Sequence, residues 1–242
     1  MDQLLVALDV ESAAHAEDLA ARLRGVAGGF KIGSRLFTAE GPQFVRRLVD
    51  RRVRIFLDLK FHDIPNTVAE AVTEATRLGV WMMTIHACGG LDMMRAALES
   101  AQAAAAKTHT ARPLIVGVTV LTSLDGPALA ELGITRDLPG QVEAMAALAA
   151  KAGLDGVVAS PLEIEILRRR HSPRFLIVTP GIRGVEGDGA KDDQARTLSA
   201  AAALRAGASY LVVGRPIIRA SDPRAAAEQI VRDAQADAVG GR

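Results

Sequence analysis

The 242-residue chain has a single cysteine, Cys88, so it can form no internal disulfide and offers no thiolate cluster for zinc. That scarcity fits a reducing cytoplasm. Cys88 has no base in an obvious role beside it and is expected to be a small buried residue rather than a nucleophile. An excess of either charge is also missing: 29 lysines and arginines face 28 aspartates and glutamates, so no global field draws the chain to nucleic acid or an anionic membrane. Recognition must then be local. The amino terminus, "MDQLLVALDV", has no basic leader, and its apolar run is too short for a signal peptide or a membrane span. It reads as a first strand. No linker, low-complexity tract or charge block interrupts the chain, so one domain over residues 1–242 is expected, with the tail "DAVGGR" fraying.

What the chain does have is a repeated alternation. Short apolar runs recur every few tens of residues: "LLVALDV", "GGFKIG", "RIFLDLK", "VWMMTIHA", "LIVGVTVL", "GVVAS", "FLIVTPG" and "YLVVG". Between them lie segments with helical spacing, among them "SAAHAEDLAARLR", "PNTVAEAVTEATRLG", "LDMMRAALESAQAAAA" and "LPGQVEAMAALAAKAG". Near-continuous apolar strands imply a parallel sheet covered by helices. Eight of them in a chain of this length favour a closed (β/α)8 TIM barrel over a doubly wound open sheet.

A barrel of this kind carries its chemistry at the carboxyl ends of the strands. Those ends hold Asp9, Lys31, Asp58 with Lys60, His86, Thr122, Ser160, the segment after Thr179, and Gly214 with Arg215. Buried without partners, such groups would be costly, so their shared position implies a wet, ligand-binding mouth. Taken singly, Asp9 could cap a helix and Thr122 could be an ordinary strand residue.

The segment "FLDLKFHDIPNTV", residues 56–68, puts two carboxylates and a lysine where a buried strand is expected. Alternation would direct Leu57 and Leu59 toward the outer helices and Asp58 with Lys60 toward the mouth, with Asp63 in the following loop and Pro65 opening a helix. A lysine among carboxylates is held in its charged form. It suits proton donation and not the Schiff base of a class I aldolase, which needs a neutral amine. His62 and His86 near the mouth could join a metal set with the aspartates, although a histidine beside a charged motif is more often a structural hydrogen bonder.

The segment "TPGIRGVEGDGAKDDQART" is long and carries Gly181, Gly184, Gly187 and Gly189. On composition alone it is either an exposed connector or a lid, and its contents favour a lid. Arg183 and Gln194 near its two ends can donate to a phosphate, while Gly214 allows close backbone approach and Arg215 offers a two-pronged guanidinium.

The stretch "DLKFHDIPNT" resembles the signature of the orotidine 5'-phosphate decarboxylase family, an Asp-x-Lys-x-x-Asp motif followed by Ile-Pro-Asn-Thr. The likeness continues through "ALD", "FKIG", "HACGG", "VTVLTS", "TPGIR" and "VVGRPI". It implies decarboxylation of orotidine 5'-monophosphate in a homodimeric barrel with shared active sites and no metal or organic cofactor. By the same resemblance Lys60 is the proton donor, Asp58 faces the leaving carboxylate, and Asp63 and Thr67 reach the neighbouring subunit's site. Asp9 and Lys31 resemble ribose ligands and Thr122 a reader of the pyrimidine edge, while Arg183, Gln194, Gly214 and Arg215 match the phosphate grip. The magnesium-dependent sugar-phosphate relatives share Asp-x-Lys-x-x-Asp but lack "IPNT" and "VLTS". A non-catalytic nucleotide-binding barrel would have no need of the charged row.

Overall fold

The computed structural model describes residues 1–183 and 198–239. Its strands in chain order are β1 (Leu4–Ala7), β2 (Gly29–Gly33), β3 (Ile55–Phe61), β4 (Met82–His86), β5 (Leu114–Val118), β6 (Gly156–Val158), β7 (Leu176–Thr179), β8 (Ile182–Arg183), β9 (Leu198–Ser199) and β10 (Tyr210–Val213). Strands β1 to β7 and β10 form a closed parallel ring, and β8 pairs with β9 outside it. Closure decides between the two architectures open to the sequence. Leu4, Leu5 and Val6 of β1 pair in parallel with Leu211, Val212 and Val213 of β10, so the sheet has no free edge and the fold is a (β/α)8 barrel.

Helices α1 (Ala13–Arg22), α2 (Ser34–Asp50), α3 (Pro65–Arg77), α4 (Gly90–Thr108), α5 (Gly126–Glu131), α6 (Leu138–Ala152), α7 (Ile164–Arg170), α8 (Ala200–Arg205), α9 (Arg215–Ile218) and α10 (Pro223–Val239) surround the ring. Helix α3 begins at Pro65, as the proline implied, because a first-turn proline loses no helical hydrogen bond. None of the described helices is long and apolar enough to cross a membrane.

Strand alternation divides the core into two layers. Leu5, Ala7, Phe56, Met82, Val116, Val178 and Val212 come from six different strands yet form one cluster, which only the barrel interior can bring together. Their neighbours Leu4, Val6, Leu57 and Ile177 belong to the larger cluster between strands and helices. The floor of the interior is aromatic. Trp81, just before β4, meets Tyr210 edge-on with ring centroids 5.2 Å apart, and the Arg54 guanidinium lies 4.7 Å from the Trp81 ring centroid. The apolar filling and this plug close the amino-terminal end, which leaves ligand access to the opposite rim.

A second fastening lies near the floor, ahead of β6. The Asp155 carboxylate accepts from both Arg112 guanidinium nitrogens at 2.8 and 2.7 Å and from the Ile115 backbone N–H at 2.7 Å, tying β5 to the chain entering β6. Such a two-pronged contact is stronger than a surface ion pair because its partners are partly withdrawn from water. Asp155→Ala strands the Arg112 charge and the Ile115 N–H together. The expected cost is about 2–4 kcal/mol in urea unfolding, with specific activity of the folded fraction unchanged because the site is remote from the mouth.

Candidate active site

Asp58 sits near the carboxyl end of β3 with a side chain only 13% exposed, and three groups meet its carboxylate. Lys60 Nζ lies 3.0 Å from each carboxylate oxygen, Lys31 Nζ lies 3.6 Å from Oδ2, and the Thr84 hydroxyl donates to Oδ1 at 3.0 Å. Lys31 in turn reaches Asp9 Oδ1 at 3.3 Å. The result is a row of alternating charge, Asp9, Lys31, Asp58 and Lys60, drawn from the ends of β1, β2 and β3. Adjacent parallel strands bring their carboxyl ends side by side, so residues far apart in sequence meet at one rim.

Simple alternation does not explain how Asp58 and Lys60 come to face each other. Between β3 and β4 the register shifts: Leu57 pairs with Met83 but Phe61 pairs with Ile85, so β3 carries two extra residues in a bulge. Lys60 lies within it at φ +54°, a left-handed conformation that a residue with a side chain adopts at a cost of about 1–2 kcal/mol. The bulge re-aims the lysine across the mouth, while Leu59 packs outward against the helix layer as expected.

The electrostatics follow from this packing. Burial pushes the Asp58 carboxyl up, but the Lys31 and Lys60 cations and the hydrogen bonds from Lys60 and Thr84 outweigh it and hold the group below its ordinary range. His86, next to the row on β4, is pushed the other way. Burial and the neighbouring His62 and Lys60 charges lower its imidazole, against the pull of Asp58, so the neutral form is favoured. The rings of His62 and His86 stand 5.4 Å apart. Cys88, expected inside, is exposed: β4 ends at His86, and the thiol lies past the strand with Sγ 3.8 Å from His62 Nε2.

A family model described as "Orotidine 5'-phosphate decarboxylase / HUMPS family" matches residues 2–230. This chain belongs to that family. The orotidine 5'-phosphate decarboxylase of Moorella thermoacetica is 52% identical over 233 residues, covering 96% of this chain and 92% of that protein. The one from Legionella pneumophila is 47% identical over 232 residues, covering 96% and 98%. Among solved structures, the orotidine 5'-phosphate decarboxylase of Lactobacillus acidophilus superposes with a TM-score of 0.83 at 34% identity, covering 96% of this chain and 98% of that one.

The other residues marked by the family's motifs are distributed unevenly. Thr122 lies in a half-buried turn past the end of β5 rather than on the strand. Gly214 follows β10, and a Cβ there would stand 3.7 Å from Asp9 Oδ2, which places this backbone beside the charged row. Arg215 opens α9, half-buried. Asp63 and Thr67 are exposed; Asp63 Oδ1 accepts from the Ile64 N–H at 2.7 Å, and among the described residues no ion pair joins it to Lys60. Arg183 contributes its backbone to β8, whereas its side chain and Gln194, with the body of the segment read as a lid, lie outside the described residues.

Two residues of the site escaped sequence reasoning. Gly33 is one: a Cβ there would sit 3.1 Å from Lys31 Nζ and 3.6 Å from Asp9 Oδ1, so the missing side chain keeps the path of the lysine clear. Thr84 is the other, a hydroxyl concealed in the apolar run "VWMMTIHA". Its one sequence signal is parity, since it shares the inward face of β4 with Met82 and His86.

The lowered carboxyl of Asp58 has a consequence for stability. Its folded pKa lies below the unfolded value of about 3.9, so its contribution is complete above that value and is lost as pH falls through the folded one. Asp58→Asn removes this dependence. The stability difference between the two proteins, measured by urea unfolding, is expected to be flat from about pH 5 to 8 and to narrow progressively below about pH 4.

Proposed function

We propose that this chain decarboxylates orotidine 5'-monophosphate to uridine 5'-monophosphate, the closing step of pyrimidine synthesis, as a cytoplasmic homodimer that uses neither metal nor organic cofactor. One observation carries the reading: an ionised carboxylate and an ammonium group lie 3.0 Å apart at the barrel mouth, Asp58 against Lys60. A reaction that releases carbon dioxide and leaves a carbanion needs a cation and a proton at one carbon.

In this reading the pyrimidine lies over the row with C6 beside Lys60 Nζ. The bond from C6 to the carboxylate breaks, its electron pair stays on C6, and carbon dioxide leaves from the side of Asp58. The ammonium of Lys60 first stabilises the carbanion and then gives it a proton, and the neutral amine regains one from solvent. Asp58 keeps Lys60 aimed before substrate arrives. Asp9 and Lys31 take the ribose hydroxyls, Thr122 the pyrimidine edge, and Arg183, Gln194, Gly214 and Arg215 the phosphate. Phosphate binding at a distance from C6 supplies energy to organise the charges, so a nucleoside without it reacts poorly.

Asp63 and Thr67 serve the partner's site. Support comes from their exposure in the single chain and from Ile64 between them, an apolar side chain 67% exposed, of the kind that a subunit interface covers. Each site then takes Lys60 from one protomer and Asp63 from its partner.

Mixing the purified protein with orotidine 5'-monophosphate and following its ultraviolet absorbance tests the activity directly; absence of conversion would sink the reading. Turnover is expected to be unchanged by EDTA, whereas a magnesium-dependent sugar-phosphate reaction would stop. Lys60→Ala is expected to lower kcat by about 10³-fold or more while uridine 5'-monophosphate binds within tenfold of wild type.

The shared site has its own test. Equal amounts of inactive Lys60→Ala and Asp63→Ala chains are unfolded and refolded together. Random pairing makes half the dimers mixed, each with one intact site of two, so about a quarter of wild-type activity is expected to return. No recovery, with mixed dimers confirmed by mass, would assign Asp63 to its own chain.

A further inference from the structure

The β3 bulge breaks the main-chain ladder to β4, and the place of the missing partner is taken by a side chain. Thr84 on β4 is fully buried. Its Oγ1 accepts from the Lys60 backbone N–H at 2.8 Å and donates to Asp58 Oδ1 at 3.0 Å. A hydroxyl has one proton, and the Lys60 N–H can only donate. Thr84 therefore has its proton available for Asp58, whose Oδ1 accepts it. The same oxygen thus anchors the backbone of one charged residue and the carboxylate of the other.

We propose that Thr84 is the positioning residue of this site: its hydroxyl latches the left-handed Lys60 backbone to the Asp58 carboxylate and so fixes the ammonium relative to the reacting carbon. The inference rests on the assignment of Lys60 and Asp58 to the decarboxylation. It adds a residue outside the charged row, one that touches neither substrate nor the reacting atoms.

Three physical requirements converge on a hydroxyl here. Lys60 occupies a strained conformation, which persists only where surrounding contacts hold it. The Lys60 N–H is partly buried, and losing its acceptor leaves an unsatisfied donor. Asp58 meets its two lysines through long, flexible side chains, whereas the Thr84 hydroxyl is one bond from Cβ on a fully buried strand residue and so sets the carboxylate plane. Valine matches the shape and supplies neither bond. Serine supplies both.

The test compares wild type, Thr84→Val and Thr84→Ser, with Lys60→Ala as reference, each checked for folding by circular dichroism and melting. For each, kcat and KM for orotidine 5'-monophosphate and the Kd for uridine 5'-monophosphate are measured. Thr84→Val is expected to lose about ten- to a hundredfold in kcat, the scale of a displacement near 1 Å at a reacting centre, with KM and Kd within about threefold. Thr84→Ser is expected to stay within about threefold of wild type in kcat. Thr84→Cys, close in size but a weak donor and acceptor, keeps the question open to measurement if the valine variant does not fold, and is expected to fall at least tenfold below the serine variant.

A valine variant with wild-type kcat overturns the proposal, as does equal loss in valine and serine variants, which would mean that the methyl group matters and the hydroxyl does not. A loss confined to KM overturns it as well. Failure of the underlying assignment looks different: wild type does not convert the nucleotide, or Lys60→Ala remains active, and both readings then fall together.

Discussion

A carboxylate as buried as Asp58 remains ionised only while cations and donors stand against it, and most of the mouth is arranged around that requirement. Lys31 reaches it from β2, Lys60 from the bulge of its own strand, and the Thr84 hydroxyl from β4. Each of these would be poorly placed alone. Lys31, also largely buried, is balanced by Asp9 on its other side, so the row alternates in sign and no charge is left without an opposite neighbour. Taking away Lys31 strands Asp9 and taking away Asp58 strands Lys60, so the two inner members tie the row together in both energy and geometry.

Such a cluster adds little to stability, because the desolvation of buried charges offsets much of their attraction. The barrel places its stabilising contacts elsewhere. The interior cluster, the Trp81 and Tyr210 plug and the fastening of Arg112 to Asp155 all lie below the mouth or at the opposite end. This separation lets the rim hold a strained lysine and bare backbone at Gly33 and Gly214 without unfolding the ring. Membership of the orotidine 5'-phosphate decarboxylase / HUMPS family is consistent with that division, since its motifs fall on the strand ends.

The period of the apolar runs was enough to count eight strands and to expect closure, because parallel strands buried on both faces leave an unmistakable imprint on composition. The residues of the charged row were equally visible. Asp58 and Lys60 interrupt an apolar strand, and Asp9 and Lys31 stand at the ends of others. Residue types that are expensive to bury announce a site wherever they occur inside such a pattern.

How those residues meet was decided by the tertiary structure. Alternation put Asp58 and Lys60 on one face, but the actual device is a bulge with a left-handed lysine, which depends on the register of β3 against β4 and has no local sequence mark. Thr84 was hidden for the same reason: threonine is at home in a strand, and only a cross-strand distance distinguishes a structural hydroxyl from one that binds two charged residues. Cys88 was misplaced because burial after a strand end depends on where the next helix packs. Composition records which groups must avoid an apolar surround, while the pairing of strands determines which of them become neighbours.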